Sequence, residues 1–287
     1  MTQKIIHVPF DFTEEAICAY NHAIGICKAG DKIYLNHILD KKSISRLKSL
    51  GKSMLDAPAE VQAAADQFPH EGIEVLPLVK EGDFMEDIPA CAKEVGATMM
   101  IFGTHGVRGM QHILGAFSLK LVTESLVPVI IVQRRNIRST GYKKIVFPVD
   151  ENPYSKQKSY AVAEFAKEHG SEVLVFPKCN GDEHFQNYTN GNARYSVKVF
   201  EEAGISYTLF ENDKHSAFGK QVVDFAAKND ADLISIVTQD SDEQDLGDIF
   251  IGSEDVKIIN NEAEIPTLCI NARVTMKVGG LAGVTGS

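Results

Sequence analysis

Val8-Pro9-Phe10-Asp11, near the start of the chain, returns as Phe147-Pro148-Val149-Asp150, with the two aspartates 139 positions apart. Leu114-Gly115-Ala116 returns as Ile251-Gly252-Ser253 at an offset of 137, and Val127-Pro128-Val129 as Ile265-Pro266-Thr267 at 138. A register held over such a length marks one fold encoded twice in tandem. The halves part company before the late glycines. The first has Gly103-Thr104-His105-Gly106-Val107-Arg108-Gly109, whereas the second runs from Val237 to Asp248 with Asp240, Asp242, Glu243 and Asp245 between.

Apolar runs alternate with segments of helical spacing along both halves. In the first half this predicts strands over 4–9, 32–39, 73–79, 98–102 and 127–133. Helices are expected over 16–27, 41–69, 84–95 and 117–125. The second half repeats the order, with strands near 143–148, 172–177, 205–210, 232–237 and 266–270. Its helices are expected near 155–168, 190–203, 217–228 and 252–261. Alternation of this kind implies right-handed crossovers. The expected fold class is α/β: two tandem Rossmann-like domains, each a five-stranded parallel sheet with helices on both faces. The boundaries read as a first domain over 1–136, a linker over 137–144, a second domain over 145–273 and a flexible tail over 274–287. The basic cluster from Arg134 to Lys144 reads as solvated.

The 287 residues suffice for two cores. Apolar runs are too short to span a bilayer and the start lacks a signal-peptide pattern, so the expectation is a cytoplasmic protein without membrane contact. Five cysteines without CxxC spacing argue against a disulfide framework or a standard zinc site. Residues 1–140 carry 15 basic against 16 acidic residues, and residues 141–287 carry 14 against 23. Neither half offers a basic face for nucleic acid.

Ligands of such sheets bind beyond the carboxyl ends of the strands, where strand order reverses. Asp11 ends the first strand there and Gly103 follows the fourth. Glycines admit a close backbone approach, and successive N–H groups ahead of a helix make an anion nest. Arg108 adds a charge-assisted phosphate contact. The bland alternatives are a turn-capping aspartate and glycines that merely punctuate a loop. In the second half, the carboxylates of 240–248 repel a triphosphate. They read as a solvated loop, with a hard cation or a basic protein partner as alternatives. Cys18 and His22 share a helix face, read as packing rather than half of a metal site. No residue set joins nucleophile, base and orienting group, so no catalytic residue and no metal ligand is assigned.

Met100-Ile101-Phe102-Gly103-Thr104-His105-Gly106, then Gly115, then Leu126 to Val132, resembles the universal stress protein family, as does the opening ending in Asp11. The resemblance covers nearly the whole chain as two tandem domains. It implies a stress-response protein that senses adenine nucleotides, ATP (with Mg2+) or AMP, through the first half. Asp11, Gly103, Gly106 and Gly115 are the residues it carries over, with the second half degenerate. The family motif is Gly-x2-Gly-x9-Gly-Ser/Thr. Here eight residues separate Gly106 from Gly115, and Ala116 stands where the hydroxyl belongs. Both departures weaken the phosphate seat and favour the alternative, a scaffold that binds no nucleotide. Slow ATP hydrolysis is the most the resemblance allows by way of enzyme activity. It also implies pairing of the two domains through 129–132 and 268–270, and leaves open a homodimer and an unknown protein partner.

Overall fold

A computed structural model describes residues 3–104, 121–238 and 253–271. The chain divides into two units. The first comprises, among described residues, 3–104 and 127–137; the second comprises 121–126, 138–238 and 253–271.

The first unit holds strands β1 (Ile5–Pro9), β2 (Lys32–Leu39), β3 (Glu74–Glu81), β4 (Met99–Gly103) and β5 (Val129–Val132) in the order β3-β2-β1-β4-β5. Every pairing is parallel. Val8, Ile33, Leu35, Ile101 and Ile130 are fully buried, because a parallel sheet covered on both faces turns both sides of each strand into core. Its helices are α1 (Glu14–Ile26), α2 (Lys41–Ser49), α3 (Ala57–Ala65) and α4 (Phe84–Glu94).

The second unit holds β6 (Lys144–Val149), β7 (Glu172–Pro177), β8 (Tyr207–Leu209), β9 (Leu233–Thr238) and β10 (Thr267–Asn271), ordered β8-β7-β6-β9-β10. Counted within each unit, both sheets therefore read 3-2-1-4-5, and all pairings are again parallel. The match reaches the register. Strand β1 meets β4 at Ile6↔Met99 and His7↔Met100, and β6 meets β9 at Ile145↔Leu233 and Val146↔Ile234. The helices are α5 (Ser159–His169), α6 (Glu183–Ala203), α7 (Phe218–Lys228) and α8 (Ser253–Ile259).

Three helices differ from expectation in their bounds. The single helix over 41–69 is two, because Gly51 takes a left-handed φ of 69° after α2 and a 3-10 turn at Met54–Asp56 leads into α3. The second unit's first helix starts at Ser159, after a 3-10 turn at Pro153–Lys156 that follows Asn152. Helix α6 starts at Glu183, seven residues before the apolar spacing announces it. The cations of 134–144 stay at least partly solvent-exposed but also hold partners within the chain. Arg134 Nε donates to Glu15 at 2.6 Å, Arg138 pairs with Asp230, and Lys143 Nζ donates to the His169 carbonyl at 2.6 Å. The tail over 274–287 lies outside the described residues, as does much of the segment over 117–125, of which 121–124 is helical.

Candidate functional site

In the first unit, β1 lies between β2 and β4. The chain leaves β1 toward β2 on one side while β4 comes in on the other, so strand order reverses there. Asp11 follows the end of β1 and is exposed. Its Oδ1 accepts hydrogen bonds from the Thr13 amide at 3.1 Å and the Thr13 hydroxyl at 2.5 Å. Thr13 Oγ1 in turn accepts from the Ala16 amide at 3.2 Å, capping α1. One oxygen of Asp11 thus builds the turn into the helix, as the bland reading holds. The other has no partner among the described residues.

Gly103 closes β4, opposite Val132 of β5. A Cβ there would lie 2.2 Å from the Glu15 carbonyl oxygen and 2.8 Å from the Ala16 nitrogen. The first turn of α1 therefore crosses the strand end at a distance only glycine permits. Gly106, Arg108 and Gly115, together with His105, Ala116 and Ser118, lie outside the described residues, as do Asp240 to Asp248.

Two neighbours carried no signal in the sequence. Phe12 has a φ of 67°, a left-handed backbone that an aromatic residue rarely adopts and that gathers at functional sites. Its ring meets Phe10 edge-on at 5.2 Å and His37 at 5.0 Å, and the Arg46 guanidinium stands 5.9 Å from its centroid. His37 Nδ1 donates to the Phe10 carbonyl at 2.7 Å, which fixes the tautomer, and its Nε2 is buried without a partner. The aspartate is thus flanked by an aromatic cluster.

The corresponding strand end of the second unit is built differently. Asp150 Oδ1 accepts from the Asn152 amide at 3.1 Å, repeating the turn. Beside it, Lys158 is buried, its Nζ donating to the Pro148 carbonyl at 2.7 Å and standing 4.6 Å from the Phe147 centroid. Burial pulls the ammonium down to about 8, against the attraction of Asp150 and Asp255. Burial also pushes Asp255 up to about 6 and raises Asp150. An internal cation, attracted by two half-buried carboxylates, sits at this strand end, a feature the acidic loop overshadowed in the sequence. Lys158 was legible only as one charge on a helical segment.

Cys18 and His22 behave as packing residues. Both are buried, and both donate to the Arg135 carbonyl, at 3.5 and 2.8 Å.

The universal stress protein family model matches residues 2–133. The first half of this chain belongs to the universal stress protein family. Universal stress protein MJ0577 of Methanocaldococcus jannaschii is 26% identical over 162 residues, which is 47% of this chain and 98% of that protein. A solved universal stress protein from Archaeoglobus fulgidus covers 93% of this chain and is itself covered to 96%, with a TM-score of 0.67 at 16% identity. That likeness extends the fold to both halves. The universal stress protein from Archaeoglobus fulgidus solved in complex with dAMP is 22% identical over 45% of this chain and 98% of its own, with a TM-score of 0.36. In the universal stress protein domain of this chain, Asp11 and Gly103 stand at adjacent strand ends of one sheet, β1 and β4. No helix among the described residues is long and apolar enough to cross a membrane.

Proposed function

We propose that the chain is a stress-response protein that binds an adenine nucleotide, AMP or ATP with Mg2+, at the strand ends of its first half. The observation that carries this reading is the exposed Asp11, one of whose oxygens has no partner among the described residues, at the point where strand order reverses. A carboxylate oxygen there accepts from a ribose hydroxyl or an exocyclic amine. Phe12, half-buried and packed edge-on against Phe10, supplies an aromatic surface for a planar base. Gly106, Arg108 and Gly115 complete the site in this proposal, with backbone amides and a guanidinium for the phosphates. The second half contributes no nucleotide seat, since Lys158 already occupies its strand end.

Calorimetric titration of the full chain with AMP and with Mg-ATP tests this, together with mass spectrometry of any ligand released from gently purified protein. Binding is expected to weaken about 10- to 100-fold in Asp11→Asn, the loss of a charged hydrogen bond. Asparagine keeps an oxygen for the Thr13 turn, so the unfolding midpoint stays in place. Absence of heat at millimolar nucleotide, with nothing co-purifying, leaves the scaffold reading in its stead.

A further inference from the structure

A second concave site lies wholly within the second unit, away from the strand end of β6. It is a cleft of about 610 Å³ beyond the carboxyl ends of β7 and β8, with one wall formed by α6. Its size falls in the range of small-molecule sites. The side chains that frame it are tied down. Gln186 accepts from the Asn180 amide at 2.7 Å and donates to Asn190 Oδ1 at 3.0 Å. Asn212 donates to the Pro177 carbonyl at 3.1 Å and to Gln221 at 2.9 Å. The loops after β7 and β8 are therefore joined to each other and to α6 before any ligand arrives, which lowers the ordering cost of binding.

One lining cation, Lys178, is held by Glu151 at 2.8 Å, and the other charges of the frame have no ion pair across it among the described residues. Arg194, on the helix wall, spends its Nε on the Asn190 carbonyl at 3.2 Å, and its terminal nitrogens have no partner among the described residues. Glu211 and Asp213, on the loop wall, are exposed and without ion-pair partners there. Leu209, 48% exposed, and Phe210 line the same cleft. Opposite charges thus border one cleft without an ion pair among the described residues, alongside an apolar surface. A ligand that complements this arrangement carries a carboxylate for the guanidinium fork, an ammonium for the acidic wall and an apolar body.

We propose that this cleft binds a small zwitterion of the short-peptide class, its carboxylate on Arg194 and its ammonium on Asp213 and Glu211. The proposal is independent of nucleotide binding in the first half. It is tested by titrating the full chain calorimetrically with leucyl-leucine, with its N-acetyl form and with its C-terminal amide. Saturable millimolar binding of leucyl-leucine is expected, at least about tenfold weaker for either blocked form, each of which lacks one charge. Arg194→Gln and Asp213→Asn should each weaken leucyl-leucine binding by a similar factor, while the unfolding midpoint and the response to AMP stay unchanged. No saturable heat with leucyl-leucine, equal binding of all three peptides, or binding indifferent to Arg194→Gln overturns the proposal.

Discussion

Gly103 shows how a sequence signal can have a packing origin. As a sequence, the glycine reads as a place where a ligand meets backbone. In the structure it is where the α1 backbone meets β4, since a Cβ would lie 2.2 Å from the Glu15 carbonyl. Backbone on both sides leaves little room to yield, and overpacking costs about 1–3 kcal/mol. Gly103→Ala is therefore expected to lower unfolding stability by that amount with no nucleotide present, measured by urea denaturation. An unchanged curve would mean that α1 does not press on the strand end. Asp11 is the parallel case, because turn and ligand both call for a carboxylate after a strand. Its position at the strand end was legible; that one oxygen is taken up by the Thr13 turn was not, since it depends on where Thr13 folds back. Phe12 and His37 were illegible for a related reason. A positive φ at an aromatic residue leaves no mark in composition or spacing.

At the scale of elements, strands were read more closely than helices. Buried parallel strands announce themselves as short apolar runs, and 172–177 and 32–39 fall where the runs fall. Helix α6 was read seven residues short because its first two turns face water. Phe185 and Tyr188 are about half exposed, and Asp182, not an apolar residue, fixes the start by accepting from the amides of His184 and Phe185. Caps of this kind are the local decision that periodicity misses. Helix α1 offers the test. Thr13 accepts from the Ala16 amide and donates to Asp11. Thr13→Ala is expected to cost about 1 kcal/mol in stability through the lost cap. It also releases Asp11 Oδ1 from its hydroxyl partner. AMP affinity, measured by calorimetry alongside the unfolding curve, reports whether the turn holds the aspartate for its ligand. A tenfold loss of affinity is expected if it does; affinity equal to wild type separates the cap from the site.

At the scale of the molecule, the two units share a strand order but bury different ionisable groups. In the first, burial holds His7 and His22 down to about 4. His7 donates through Nε2 to Asn36, and its buried Nδ1 has no acceptor to receive if protonated. A histidine lowered on folding contributes stability that is complete above its unfolded value of 6.5 and is lost as pH falls toward 4. Between pH 7.5 and 5 each loses about 2 kcal/mol. In the second unit burial raises Asp255 to about 6 and also raises Asp150. A carboxyl raised on folding destabilises the fold above that value, and the penalty is relieved as pH falls through it. Asp255 therefore returns about 1 kcal/mol by pH 5. Carboxylates held low by partners, such as Glu60 and Glu254, lose that support only below about pH 4.5 and stay out of this window. Amide hydrogen exchange, corrected for intrinsic rates, resolves the two responses by segment. On passing from pH 7.5 to 5, opening free energies over β1, α1 and β2 are expected to fall by a few kcal/mol. Those over β6, β9 and α8 should hold or rise. Equal loss in both units would mean that the chain opens as one cooperative body, with the buried histidines weakening the second unit as much as the first.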